Sequence, residues 1–230
     1  MSTVLVVDGA DVCRAPIMEF TLKSGFADAA WLKDAAVLSR GLTAEPDHTM
    51  CEVAAGRIGF TSASIGFYGA HRAVRLTRDD VAAASLVLTA EREQRSAVVR
   101  MLPGTQARVF TWKEARVLAT LVTERVLAGR LAPAADLDEL ARQLHASRGS
   151  IPVIEPPVRT AAFHWRRQPA TDPLSITDGH DEAGGMHRSV VDESRQTAVA
   201  LTGLVADLAR AERHERTVDP ARIDWWRRGA

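Results

Sequence analysis

The chain has 230 residues, and its 29 Lys and Arg balance 29 Asp and Glu to a formal net charge of zero. It lacks the basic excess by which nucleic acid or an anionic membrane surface is usually held, so neither is expected as a partner. With 46% hydrophobic and 25% charged residues, it has the composition of a globular chain that buries a sizeable core, which excludes disorder throughout.

Val4-Leu5-Val6-Val7 is a continuous apolar run and reads as a strand buried on both faces, as in a parallel sheet. The lead-in Met1-Ser2-Thr3 carries no basic leader, and no apolar run approaches ~20 residues, so neither a targeting segment nor a membrane span is expected. A polar turn, Asp8 to Arg14, follows the strand. Pro16 then stands ahead of Ile17, Met18, Phe20 and Leu22, a helix entered with proline in its first turn. Strand, loop, helix is the unit in which α/β proteins place anion sites.

Val37-Leu38-Ser39 predicts a second strand, and a helix is expected from about His48 to Ile58. Thr77 with Asp80 has the spacing of a capping box opening another helix, which leads into a third buried strand, Ser85 to Thr89. A helix from Glu91 to Leu102 should be stopped by Pro103-Gly104, with a fourth strand at Ala107 to Phe110. Such alternation predicts a mostly parallel sheet with helices on both sides. Lys113 to Arg130 and Pro133 to His145 read as core-packing helices. Five prolines between 151 and 177 predict a long irregular loop, and a final helix is expected from about Met186 to Arg213. The last stretch, Glu215 to Ala230, is charged but holds Trp225-Trp226, a segment that packs back on the domain or meets a protein partner.

Cys13 and Cys51 are the two cysteines, too few for a disulfide framework or a zinc site built of cysteines, which points to a reducing cytoplasm. His180, His187, Asp178 and Asp181 suggest a metal site, but a solvated loop and helix start is the preferred reading, and no metal or cofactor is expected.

Val7-Asp8-Gly9-Ala10-Asp11-Val12-Cys13-Arg14-Ala15-Pro16 resembles the phosphate-binding loop of low-molecular-weight protein tyrosine phosphatases, V-C-x-G-N-x-C-R-S-P. The resemblance extends through Ser85 to Pro103 and Val109-Phe110-Thr111 with Glu114 to the final helix. It implies a three-layer αβα sandwich around a four-stranded parallel sheet. Residues 1–214 would form one domain with a Pro-rich insertion at about 150–177, followed by the tail 215–230. It also implies that Gly9, Ala10, Asp11, Val12, Cys13 and Arg14 bind a phosphate or phosphorylated ligand. Backbone N–H groups at a helix start can cradle phosphate oxygens, and an arginine adds a bidentate pair.

The chain departs from the family at two chemical positions. Asp8 stands where the family has its nucleophilic cysteine, and Ala15 replaces the serine that helps the sulfur leave. Cys13 matches the family's second, non-nucleophilic cysteine and reads as a small buried residue beside the loop. For the family's general acid the spacing favours Asp178, with Gly179 in place of proline, over the Asp172-Pro173 dipeptide. Aromatic residues that flank the family's pocket are replaced by His180 and Asp181, so the resemblance does not carry a phosphotyrosine preference to this chain. Two readings follow. In one, the protein is a pseudophosphatase whose Asp8 keeps the thiolate's charge without its nucleophilicity, its oxygens turning into the cradle. In the alternative, Asp8 acts as nucleophile or base, Asp178 as proton donor, and Asp11 helps to hold Mg²⁺.

Overall fold

Val4 to Val7 are fully buried at the centre of β1 (Thr3–Asp8), as the unbroken apolar run requires of a strand covered on both faces. The computed structural model describes residues 2–27, 32–151, 172–180 and 184–211. Asp181, most of the Pro-rich segment and the tail with Trp225-Trp226 lie outside the described residues. Around β1 the chain folds in order through α1 (Arg14–Phe26), β2 (Ala36–Gly41), α2 (Glu52–Ile58), α3 (Ser62–Ala70) and α4 (Arg78–Ala83). It continues through β3 (Leu86–Thr89), α5 (Arg92–Met101), β4 (Val109–Thr111), α6 (Trp112–Leu127), α7 (Leu137–Ala146) and α8 (Gly184–Ala211).

The four strands run parallel in the order β2-β1-β3-β4, with Val4 beside Val37 on one flank and Leu86 on the other. Alternating side chains of β1 feed two cores, as the period of a strand dictates. Val4 and Val6 join the larger one, with α1, α6, α7 and α8; Leu5 and Val7 join the smaller, with α4 and α5. The result is the expected three-layer sandwich. Within the larger core α1 and α8 approach through Gly25, where a Cβ would come within 1.9 Å of Thr202 Cγ2. Trp112 is fully buried, and its indole N–H donates to the Leu88 carbonyl at 2.9 Å, so the large ring costs no unpaired donor.

Capping explains the helix boundaries. The Thr77 box is present with both reciprocal bonds, and a second box, Thr111 with Glu114, starts α6. α2 begins at Glu52 rather than near His48 because Cys51 caps it, its sulfur accepting the Ala54 N–H at 3.3 Å. α7 begins at Leu137 rather than Pro133 because Asp136 accepts the Glu139 N–H. A 3-10 turn at Thr105–Ala107 delays β4 to Val109. Helix α3 is an addition to the elements read from the sequence. No helix among the described residues is long and apolar enough to cross a membrane.

The connection leaving the carboxyl end of β1 leads to β2 on one side, whereas that leaving its other neighbour β3 leads to β4 on the opposite side. In open α/β sheets that switch point is where ligands are bound, and Asp8 is the last residue of β1.

Candidate functional site

Between β1 and α1 the chain turns through Gly9 to Cys13, and Cys13 is the N-cap of α1. Its carbonyls are held outward. Leu42 N–H donates to Asp8 O at 3.0 Å, Thr43 N–H to Gly9 O at 2.8 Å and Cys51 N–H to Val12 O at 2.7 Å. Asp11 takes a left-handed conformation with φ 58°, which aspartate tolerates better than most residues. The turn also grazes Gly41 at the end of β2, where a Cβ would lie 2.7 Å from the Ala10 carbonyl carbon and 2.8 Å from Asp11 N. Only glycine admits the loop at that distance. Gly9, Ala10 and Val12 are half-buried, while Asp11, Cys13 and Arg14 are buried.

With the carbonyls turned out, loop amides are free to bind an anion, and the anion they meet is Asp8. Its Oδ1 accepts the Asp11 N–H at 2.6 Å, and its Oδ2 accepts the Ala15 N–H at 2.9 Å. The side chain is only 2% exposed. A carboxylate offering both oxygens to backbone donors is a substantial stabilisation at such a turn. It also takes amides that a phosphate would need.

Arg14 lies beside it and is as deeply buried. Its Nη1 donates to Glu91 Oε1 at 2.6 Å and to Ile176 O at 2.7 Å, and its Nη2 donates to Asp178 Oδ2 at 2.7 Å. Burial opposes the charge, but Asp8, Asp178 and Glu91 outweigh it and hold the guanidinium pKa above its ordinary value. One cation thus faces three acids.

The segment that brings Asp178 is stitched to the end of β3. Ile176 is fully buried and its N–H donates to Ala90 O at 2.8 Å, while Arg92 N–H donates to Ser175 Oγ. Asp178 therefore reaches Arg14. Asp172 does not; it accepts from Leu174 N–H and Ser175 Oγ and pairs with Arg92 Nε at 2.8 Å. Burial pushes the Asp178 carboxyl up, but Arg14 and His180 outweigh it and hold it below the usual carboxylate range. At neutral pH it is therefore ionised, the wrong state for donating a proton. Glu91, the other partner of Arg14, was legible in the sequence only as a helix start, a role it also fills by a capping box with Gln94.

Asp11 faces elsewhere. Its Oδ2 accepts the Val74 N–H at 2.9 Å and its carbonyl meets His71 Nε2 at 2.7 Å. Burial pushes its carboxyl up to about 7, with the Ser39 hydroxyl and the Val74 amide only partly opposing.

Cys13 is buried beside the loop, as expected of a small residue there, but it has company that no local spacing announces. Its sulfur lies 3.2 Å from His187 Nε2 and 3.6 Å from Cys51 Sγ, and Cys51 Sγ is also 3.6 Å from His187 Nε2. The rings of His187 and His180 stand 4.2 Å apart.

No protein-family model matches the chain, and no curated protein does. Among solved structures it is similar to the YwlE arginine phosphatase from Geobacillus stearothermophilus. The two share 16% identity with a TM-score of 0.52 over 95% of this chain and 99% of that one. This chain has the low-molecular-weight protein tyrosine phosphatase fold. Similarity extends to the AmsI tyrosine phosphatase of Erwinia amylovora, at 16% identity and TM-score 0.45 over 94% of each chain. A low-molecular-weight protein tyrosine phosphatase from T. tengcongensis matches at 21% identity and TM-score 0.42, over 66% of this chain and 95% of that one.

Proposed function

We propose that the protein is a pseudophosphatase, a phosphatase-fold protein whose anion cradle is kept but is filled by its own Asp8 carboxylate. The observation that carries this reading is the pair of bonds from the Asp11 and Ala15 amides to the two Asp8 oxygens. An internal anion there competes with a phosphate for the same donors and does so without the entropic cost of association.

Two further features support it. Arg14 is consumed by Glu91, Ile176 O and Asp178, so a phosphate dianion approaching the loop would meet carboxylates before a free guanidinium. The residue best placed as proton donor, Asp178, is held ionised by that same arginine. Asp8 is a poor candidate for an alternative nucleophile. Both its oxygens are turned to backbone donors, and Asp11 offers Oδ2 to Val74 rather than to an ion shared with Asp8. The presence of only two cysteines, too few for a disulfide framework, supports a reducing cytoplasm as the compartment.

The test is hydrolysis of an aryl phosphate by the full chain, with and without Mg²⁺, beside Asp8→Ala and Asp8→Cys. The wild type is expected to be inert in both conditions, and Asp8→Cys to gain slow turnover because it frees the amides and restores a thiolate. Metal-dependent turnover by the wild type that disappears in Asp8→Ala would refute the proposal.

A further inference from the structure

We infer that Cys13, Cys51, His180 and His187 form a binding site for one Zn(II) ion, at the seam between the β1–α1 loop, α2, the 178–180 segment and the first turn of α8. One ligand atom from each residue lies within 4.8 Å of all the others. Two thiolates and two imidazoles in a compact tetrahedral set are the donors zinc prefers over harder or octahedral ions.

The spacing is the strongest part of the argument. Tetrahedral bonds of roughly 2.3 Å to sulfur and about 2.0 Å to nitrogen place two sulfurs about 3.8 Å apart, and a sulfur and a nitrogen about 3.5 Å apart. The observed Cys13–Cys51 separation is 3.6 Å, and His187 Nε2 lies 3.6 and 3.2 Å from the two sulfurs. Three edges of the tetrahedron are therefore already at coordination length. His180, exposed, supplies the fourth corner from the solvent side.

The surroundings suit an ion as well. His180 Nδ1 meets Asp178 Oδ1 at 3.1 Å, the carboxylate-to-histidine arrangement that fixes a ligating ring and leaves Nε2 for the metal. Cys51 sulfur accepts the Ala54 N–H, a bond that favours its thiolate. Ile17, Met50, Ala54 and Val191 pack as an apolar shell behind the cluster. Binding exchanges the two thiol protons, released to solvent, for two zinc–sulfur bonds, and two thiolates cancel the charge of the ion. Four protein ligands leave no open position, so the ion is structural: it clamps the segment carrying Asp178 onto the loop carrying Arg14. The inference is independent of whether the loop turns over phosphate.

The experiment uses the full chain, reduced and stripped with chelator, titrated with Zn(II) and, as a spectroscopic probe, Co(II). One ion per chain is expected, with thiolate-to-cobalt charge transfer and the intense visible bands of tetrahedral cobalt. Cys51→Ser and His187→Ala should each lose the ion. Folded, reduced wild type that takes up no zinc, cobalt bound without thiolate bands, or binding unchanged in Cys51→Ser would overturn the inference. If a variant fails to fold, alkylation of the wild type decides. Protection of Cys51, the more accessible of the two thiols, by Zn(II) and not by Mg²⁺ supports the site, and equal alkylation of Cys51 with either ion overturns it.

Discussion

Arg14 Nη2 and Asp178 Oδ2 meet at 2.7 Å, joining the first turn of α1 to a segment 164 positions later in the chain. The arginine is 2% exposed and the aspartate 36%. The bond therefore removes the one buried cation of the loop from solvent and from any incoming anion, while it keeps the acid ionised.

That relationship predicts the cost of losing the arginine. Arg14→Met would leave Glu91 and Asp178 without their cation and Ile176 O without its donor. Breaking a buried pair costs roughly 3–5 kcal/mol. Because both acids reach solvent, the loss should fall at or below the lower end of that range. Chemical denaturation of wild type and variant measures it; a loss within experimental error would mean that the pairing does not hold the segment.

Two glycines set the geometry by close approach. In Gly41→Ala the new Cβ would fall 2.7 Å from the Ala10 carbonyl carbon, and in Gly179→Ala 2.9 Å from His187 Cα. Neither obstacle is a flexible side-chain end, so backbone must move, at a cost of roughly 1–3 kcal/mol each. Gly41→Ala should shift the amide resonances of Gly9 to Ala15, and Gly179→Ala those around His180 and His187. Unperturbed resonances in both variants would show that the loop does not sit against these positions.

Asp11 predicts a pH dependence. Its carboxyl rises from an ordinary 3.8 to about 7 in the folded protein, chiefly by burial, with Asp8 and Glu19 adding repulsion against Ser39 and the Val74 amide. His71 faces it at 4.0 Å. Between pH 4 and 7 the folded state holds a proton that the unfolded chain has lost. Stability from this group is thus fully present below about pH 4 and is lost as pH rises through 7, at about 1.4 kcal/mol per pH unit. Asp11→Asn removes the ionisation, so denaturation midpoints should show the variant gaining on wild type from pH 4 to pH 8. A constant difference across that range would place the carboxyl at its ordinary value.

Much of this arrangement is readable from the sequence, for identifiable reasons. The Val4–Val7 run, the Thr77–Asp80 spacing and the stop at Pro103-Gly104 are local signals, and each marks the element it predicts. The resemblance of the loop to the phosphatase family's points to Asp8 and Arg14, and the spacing from that family's acid position into the last helix points to Asp178. Helix α3 escaped because it lies on the surface: Ser64 is its one buried residue, while Ile65 is exposed, so no apolar stripe betrays it. His180 and His187 are legible in the sequence as a candidate metal pair with Asp178 and Asp181, but Glu91 as a partner of Arg14, and Cys13 and Cys51 as neighbours of the histidines, escaped for another reason. Their partners are brought together by the sheet and by α8, and the cysteine-to-histidine pairs are separated by 174 and 136 positions.

The most direct test of the self-filled cradle is a crystal structure of the wild type soaked in phosphate, beside Asp8→Ala treated identically. In the wild type the Asp8 oxygens should remain on the Asp11 and Ala15 amides with no phosphate in the turn, whereas Asp8→Ala should hold a phosphate on those same amides. A phosphate seated in the wild-type turn, with the Asp8 side chain displaced from it, would contradict the account.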